Sequence, residues 1–331
     1  MHTPRTRLLA SALVNVLILS FLLTACGGTK KATSATGDQG VGAAQQGSPT
    51  AMQHQGTPID WKAVDQAMGR PGTLQPGNVY RYTFPRSDLQ VTVGGVPLKT
   101  AFAQGGHVEF LQMGTNDAMY MGDLVLTEDE VNPVLLELEQ GGVALAALHN
   151  HLLGDTPKLM YQHIMGQGDP VKIAEGIRAA LALSKTPPPA TGSAPAEDIG
   201  LDTKQLDQTL GYSGKANGAV YQFSVPRAEK IMDNGMEMPP AMGVATAINF
   251  QSTGNGKAAI TGDFVLLASE VTPVSRTLRE NGINVTAVHS HALTETPRLF
   301  YLHFFANDDA GKLVQGLRAT LDKTNSVKPA K

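Results

Sequence analysis

The histidines of this sequence are the residues whose type and spacing could do chemistry. Nine histidines are present, and six of them form two copies of the pattern His-x-His-x11-His. In chain order, these six are His149, His151, His163, His289, His291 and His303. Three neutral imidazoles suit a divalent transition metal, so we predict two histidine triads that bind zinc or copper. Three protein ligands would leave one coordination position for water or a substrate atom.

Each triad can converge only if its pattern lies on two neighbouring strands. Residues i and i+2 of a strand point to one face, so His149 and His151 are expected side by side. A turn centred near Thr156 predicts His163 opposite His149 and Tyr161 opposite His151. A register slip of one residue would send the third histidine to the other face.

The residues that alternate with the histidines are apolar, and we predict that they form the core. They are Leu148, Met160, Ile164, Val288, Phe300 and Phe304. The histidines should then point away from this core, towards solvent or a cleft.

Polar residues close to the triads are candidates for supporting roles. Asp155 and Glu295 occupy equivalent loops, where they could orient a metal-bound histidine or act as general bases. Tyr161 and Tyr301 could each donate a hydrogen bond at the site.

Each copy also contains a Gly-Asp pair, ending in Asp123 and Asp263. We interpret these residues as turn residues, and the alternative is that the carboxylates reach the histidines. His107 and Glu109 occur in the first copy alone and are typical of solvated strand residues.

The folded part of the chain is an internal duplication. Residues 122–183 align with 262–323 without a gap, and 25 of the 62 positions are identical. We predict one repeat domain over 58–186, a proline-rich linker over 187–199 and a second repeat domain over 200–326.

One copy reads as an α+β domain. The predicted helices cover 61–68, 128–140 and 170–183, and the predicted strands cover 79–84, 90–93, 101–112, 118–126, 143–151 and 158–165. This order predicts two tandem homologous domains, each with a mostly antiparallel sheet and helices packed on one face. A ferredoxin-like core is one arrangement that fits this order.

Charge and cysteine content exclude several classes of protein. The chain has 331 residues, 26 Lys+Arg against 29 Asp+Glu, and a net charge of −3, so no basic surface for nucleic acid is expected. A single cysteine excludes an internal disulfide framework.

The beginning of the chain is typical of an exported protein. Arg5 and Arg7 precede an apolar run over 8–23, which predicts a signal peptide over 1–25. A Gly, Ala, Gln, Ser and Thr-rich stretch over 26–57 predicts a flexible tether. The segment Leu23-Thr24-Ala25-Cys26 resembles the lipobox of bacterial lipoproteins, which implies cleavage before Cys26 and acylation of its sulfur. The alternative is a plain signal peptide with a chance cysteine.

The block from Leu148 to Pro157 and on through His163, with the block from Gly122 to Pro133, resembles the LppY/LpqO lipoproteins. The resemblance covers both copies. It implies a bacterial, exported, often lipid-anchored protein with a domain of unknown function, and it supplies no catalytic residues. The second copy departs from the pattern at Ser290, Ala292 and Thr294.

These observations predict an envelope protein anchored by lipid to the cell membrane or the outer membrane. Its predicted function is to bind a transition metal as a buffer, sensor or delivery protein. One alternative is a metal-dependent hydrolase of an envelope component, with Asp155 as a general base. Another is a non-catalytic module for a glycan or a protein, although 1 Trp and 5% aromatic residues argue against stacking on sugars. The sequence does not decide whether the protein is an enzyme.

Overall fold

The computed structural model describes residues 58–189 and 197–328. The predicted signal peptide, the tether with Cys26 and residues 190–196 of the predicted linker lie outside the described residues. Within the described residues, no helix combines the length and the apolar character needed to cross a bilayer.

The first half begins with a helix and contains most of its strands before the second helix. Its elements are α1 Trp61–Met68, β1 Thr73–Gln75, β2 Val79–Pro85, β3 Thr92–Val93, β4 Val96–Pro97, β5 Gly105–Gly114, β6 Asp117–Thr127, α2 Glu128–Gln140, β7 Leu145–His149, β8 Asp155–Thr156, β9 Leu159–Gly168 and α3 Pro170–Leu181. The helices predicted over 61–68 and 128–140 are confirmed. The strand predicted over 90–93 shrinks to two residues.

The second half repeats this order without a counterpart of the short strand β8. Its elements are α4 Thr203–Leu210, β10 Lys215–Asn217, β11 Val220–Pro226, β12 Met232–Asp233, β13 Met236–Glu237, β14 Ala245–Gly254, β15 Lys257–Leu266, α5 Ala268–Glu280, β16 Asn284–His289, β17 Phe300–Asp309 and α6 Ala310–Leu321.

Side chains at the helix ends explain where the helices begin and stop. The Asp60 carboxylate accepts the backbone N–H of the second residue of α1, and Gly69 ends that helix at a positive φ of 72°. Asp169 accepts backbone N–H groups in the first turn of α3, and Pro170 occupies the first helical position, where it loses no hydrogen bond.

Each half contains a six-stranded antiparallel sheet. The strand order is β1-β2-β5-β6-β9-β7 in the first half and β10-β11-β14-β15-β17-β16 in the second. Strands β6 and β7 are both antiparallel to β9, so they run parallel to each other and α2 connects them as a split β-α-β unit. This unit is the ferredoxin-like feature of the fold. On the side of β6 away from β9, the neighbouring strand is β5, which immediately precedes β6 in the chain.

The helices of each half cover one face of its sheet. In the first half Tyr120 and Leu124 of β6 belong to the same buried cluster as Val134 of α2 and Ile177 of α3. The predicted α+β class, with antiparallel sheets in two similar halves, is therefore confirmed.

The other faces of the two sheets pack against each other. Met121 of β6 shares a buried cluster with Val265 of β15 and Tyr301 of β17. Val125 of β6 shares another with Ala259 of β15. Alternate residues of the central strands thus face either the helices or the opposite sheet, and both faces are buried. The resulting layers are helix, sheet, sheet and helix.

The predicted pairing of the histidine strands is wrong by two residues. His149 pairs with Tyr161, and His163 pairs with Ala147. The connection is not a tight hairpin, because Thr156 leaves the sheet to pair with Thr92 of β3. A shift of two residues keeps the same face, so the histidines still share one side of the sheet.

The predicted core is confirmed at some positions and wrong at others. Ile164 and Phe304 are fully buried, whereas Leu148 and Val288 are 41% and 47% exposed. Leu148 and Val288 lie on β7 and β16, the edge strands of their sheets, where each strand has a single neighbour. The side chains of Leu148 and Val288 at the ends of these strands are therefore open to solvent.

Gln162 is a polar side chain on the helix side of β9. It is fully buried, and neither atom of its amide has a hydrogen-bond partner among the described residues. The equivalent residue of the second half is Leu302, which belongs to the apolar core. A buried amide without partners lowers the stability of the folded state.

We expect Gln162→Leu to raise the free energy of unfolding by about 1–3 kcal/mol, because it removes this desolvation cost at similar volume. Urea denaturation of the purified protein measures the change. The reciprocal variant Leu302→Gln should lower the free energy of unfolding. A Gln162→Leu protein no more stable than wild type would contradict the expectation.

Candidate metal centre

Two aspartates lie inside the central strands, on the face that packs against the opposite sheet. Asp123 of β6 pairs directly with His163 of β9. Asp263 of β15 pairs in the same way with His303 of β17. The interpretation of Asp123 and Asp263 as turn residues is therefore wrong, and the alternative interpretation, carboxylates beside the histidines, is correct.

The glycine before each aspartate allows a close approach of the next strand. A Cβ atom on Gly122 would lie 2.7 Å from the carbonyl oxygen of His107, and one on Gly262 would lie 1.9 Å from that of Ala247. Both distances are too short for any side chain. The glycine of each pair thus permits close packing of the neighbouring strand. The aspartate that follows it lies directly opposite a histidine of the strand on the other side.

Within each half, two imidazoles lie within hydrogen-bond distance of each other. The Nε2 atoms of His149 and His163 are 2.8 Å apart. Those of His289 and His303 are 2.7 Å apart. The Nδ1 atom of His149 donates to the carbonyl oxygen of Asn150 at 2.9 Å, which leaves its Nε2 atom as the free nitrogen of a neutral ring.

Rings of the two halves stack on each other across the sheet interface. The ring centroids of His149 and His289 are 3.4 Å apart. The ring centroids of His151 and His303 are 3.9 Å apart, and those of His163 and His291 are 3.7 Å apart. Each of these contacts joins one histidine of the first half to one of the second half. The six predicted histidines therefore form one cluster rather than two separate triads.

The two tyrosines border this cluster with their rings. Tyr161 stacks on His151 and Tyr301 stacks on His291, each with 3.4 Å between ring centroids. Their hydroxyl groups donate to backbone carbonyl oxygens, that of Tyr161 to Ala103 and that of Tyr301 to Gly243. The tyrosines thus hold the histidine rings by stacking, and their hydroxyl groups bond to the backbone.

Asp155 and Glu295 are buried in the loops after the first two histidines of each copy. The Asp155 carboxylate accepts the backbone N–H of Leu159 at 2.9 Å, and that of Glu295 accepts the N–H of Leu299 at 2.8 Å. Among the described residues, neither belongs to a group of converging metal-ligand atoms. Their hydrogen bonds close the loops that carry the histidines.

The histidines are buried between the sheets, which corrects the expectation of a solvent-facing or cleft position. His303 and His163 are 0% and 1% exposed, and His149 and His291 are 8% and 5% exposed. His151 and His289 are partly exposed. The reason is that the face opposite the helices of one half is covered by the sheet of the other half.

Burial and mutual repulsion keep the imidazoles of His149, His151, His163, His289 and His291 neutral. Burial, and then the neighbouring rings, lower the pKa of His149 to about 3 and that of His289 to about 4. The same causes place the pKa values of His151, His163 and His291 well below the ordinary value. Neutral rings are the form that binds a metal.

The two aspartates have different electrostatic surroundings. Burial raises the pKa of Asp123 well above its ordinary value, and the negative charges of Asp263 and Glu109 raise it further. Burial also acts to raise the pKa of Asp263, but the pairing of its carboxylate with His303 leaves this pKa below the ordinary value.

The surroundings of Asp123 differ because the first half contains an additional ionic chain. Glu109 is fully buried, pairs with Arg81 at 2.7 Å and accepts from His107 at 3.0 Å. Gln222 and Asn249 occupy the places of Arg81 and Glu109 in the second half. The expectation of a solvated Glu109 is therefore wrong.

The donor atoms fit a metal ion. Buried atoms at the centre without a hydrogen-bond partner among the described residues are Asp123 Oδ1, His151 Nε2, His163 Nδ1 and His291 Nε2. Four overlapping groups of ligand atoms, each group within 4.8 Å, are drawn from the six histidines and the two aspartates. Imidazole nitrogen and carboxylate oxygen are ligands of zinc and of other divalent transition metals.

The two aspartates are the site residues for which the favoured sequence interpretation, a turn, is wrong and the alternative is correct. The sequence signal for their role is that the same Gly-Asp pair stands at equivalent positions of both copies, inside a segment that is predicted to be a strand. A glycine suggested a turn, but it also permits close strand contact.

The lowered histidine pKa values predict an acid-sensitive fold in chelator-treated protein. An unfolded histidine binds a proton below about pH 6.5, whereas the buried rings do not. Stability should fall as the pH drops below this value, by about 1.4 kcal/mol per pH unit for each neutral ring. The raised pKa of Asp123 acts in the opposite direction. Urea midpoints at pH 7, 6 and 5 measure the slope.

The double variant His149→Gln plus His289→Gln removes two of the titrating groups and should show a shallower slope. A wild-type urea midpoint that stays constant over this range would contradict the expectation.

Comparison with known proteins gives one family. No curated protein matches the chain. A crystal structure of a trimeric bacterial microcompartment shell protein, PduB, is similar at 15% identity over 76% of this chain and 93% of that chain. Its TM-score of 0.18 carries no argument about fold or function. The family model described as Domain of Unknown Function (DUF1259) matches residues 62–183 and again 204–323, which are the two repeats. The chain therefore belongs to the DUF1259 family and contains two tandem copies of its domain.

Proposed function

We propose that this protein is a lipid-anchored envelope protein that binds a transition metal ion, zinc or copper, at one centre shared by its two halves. The observation that carries the proposal is the convergence of six histidines from both copies, with ring centroids of His149 and His289 only 3.4 Å apart. A hydrogen-bonded structural role accounts less well for the buried ring nitrogens without partners, since such atoms cost free energy.

Burial of the centre favours a role in holding the metal, as a buffer, sensor or delivery protein. A hydrolase needs a substrate and a general base beside the metal, but Asp155, the predicted base, accepts a backbone hydrogen bond in its own loop. A glycan module needs side chains at the surface, whereas His163 and His303 are at most 1% exposed. These two alternatives are therefore less well supported.

The envelope location rests on the beginning of the chain. The single cysteine follows an apolar run and a small residue, as in the lipobox. We also propose that the chain is related to the LppY/LpqO lipoproteins, on the blocks around His149 and His289. An acylated Cys26 would anchor the protein in the cell membrane or in the outer membrane.

The metal proposal predicts bound zinc or copper in protein purified without a histidine tag. Elemental analysis should give at least about one ion per chain, and added metal should raise the melting temperature of chelator-treated protein. The variant His149→Ala plus His151→Ala should lose at least about tenfold in affinity.

His107→Ala is the matched control, because His107 lies on β5 of the same sheet and belongs to no group of converging ligand atoms within residues 58–189 and 197–328. It should keep the metal. No bound metal, no titratable binding and an unchanged melting temperature in the wild type would reject the proposal.

The lipid proposal predicts that Cys26→Ser abolishes acylation and membrane association. The measurement is metabolic labelling with palmitate, followed by partition of the membrane fraction with detergent. Thr24→Ser, a change beside the proposed cleavage site that keeps the sulfur, is the control and should label normally. Equal labelling of Cys26→Ser and wild type would contradict the anchor.

A further inference from the structure

The candidate centre contains more donor groups than one metal ion can use. Six histidines and two aspartates converge between the sheets. A structural zinc ion takes four ligands. A single ion would therefore leave about half of these donors without a metal bond. Four of their buried atoms, Asp123 Oδ1, His151 Nε2, His163 Nδ1 and His291 Nε2, have no hydrogen-bond partner among the described residues, which is costly in this layer.

Two of the four groups of converging donors share no member, whereas the other two groups, which both contain His149, combine histidines of both copies. Of the two separate groups, one is Asp123, His151 and His163, and the other consists of the same positions of the second copy, Asp263, His291 and His303. In the first group the carboxylate oxygens of Asp123 lie 3.6 Å from the Nε2 atoms of both histidines. Ligand atoms around one zinc ion, each bonded at about 2.0–2.1 Å, have a similar separation.

The remaining two histidines each lie beside one of these sets. His149 Nε2 is 2.8 Å from His163 Nε2, and His289 Nε2 is 2.7 Å from His303 Nε2. Each half thus offers one carboxylate and two imidazoles that converge, with a third imidazole of the same copy beside one of these two. The stack of His149 on His289 brings the two sets into contact.

The charges between the two sheets also favour a cation beside each of the two aspartates. Asp123 Oδ1 has no hydrogen-bond partner among the described residues, and the nearby cation Arg81 is paired with Glu109. Asp263 contacts His303, one of its own set. A divalent ion next to each aspartate would compensate a carboxylate that is otherwise buried without a permanent positive charge.

From these observations, and building on the proposed metal binding, we infer that the centre is dinuclear. It holds one divalent ion in each half, bound by one aspartate and by histidines of the same copy. Asp123 and Asp263 are direct ligands. Carboxylate oxygen is a hard donor that suits zinc and other divalent ions and disfavours copper(I).

The number of zinc ions per chain tests this inference. Full-length protein in detergent, purified without a histidine tag and stripped with chelator, is titrated with Zn²⁺ alone and then analysed for bound metal. Wild type should retain about two ions per chain. Asp123→Asn and Asp263→Asn should each retain about one, because asparagine keeps the shape and removes the charge.

Glu109→Gln is the matched control, since Glu109 is a fully buried carboxylate of the first sheet and, in the part of the chain that the structure describes, belongs to no ligand group. It should retain two ions. Circular dichroism identifies any variant that fails to fold, and loading the wild type with Cu²⁺ gives a measurement that needs no variant. Two neighbouring copper ions should show magnetic coupling in the electron paramagnetic resonance spectrum.

Each outcome bears on a different claim. One ion per wild-type chain with an uncoupled copper spectrum would overturn the dinuclear centre and leave the proposed metal binding intact. Two ions in folded Asp123→Asn and Asp263→Asn would overturn the role of the aspartates. No bound ion in the wild type would reject the proposed function itself.

Discussion

Face-to-face packing of the two sheets is the constraint on which the rest of this structure depends. Each half covers one face of its sheet with its own helices and leaves the other face to be covered by the second half. The residues on that second face would be solvated in a single domain. Because the two domains meet there, the same residues become the middle of a four-layer molecule, and the polar ones among them need partners inside the protein.

The composition of this middle layer follows from the period of two along the strands. On β6, Met119, Met121 and Val125 point to the opposite sheet, and so does Asp123 between them. The layer is thus largely apolar with a polar patch of histidines and aspartates. In such surroundings burial favours the neutral form of an imidazole, and the Asp123 carboxylate is poorly compensated, which are conditions that favour cation binding.

Duplication makes one centre out of two weak patterns. A single copy provides two histidines within 2.8 Å and one aspartate at 3.6 Å, partly open on the side of the missing sheet. The second copy adds a similar set and covers much of both. The two halves are not identical, however, because Glu109 and Arg81 flank the centre in the first half only. The aspartates also differ in the direction of their pKa shifts, because burial raises the pKa of Asp123, whereas the pairing with His303 outweighs burial and lowers the pKa of Asp263.

The amino-acid sequence by itself determined the repeats and the helices with their caps. It also identified the six histidines as candidate metal ligands of one kind. These features depend on local patterns: capping residues, alternation along strands and identity at a fixed spacing. Only the tertiary structure decided the pairing of His149 with Tyr161, the exposure of Leu148 and the position of Asp123 at the centre. The union of the two triads was also decided there, since the contact between His149 and His289 joins residues far apart in the chain. No local pattern encodes which faces of two domains will pack together, because that choice depends on the summed burial of both sheets.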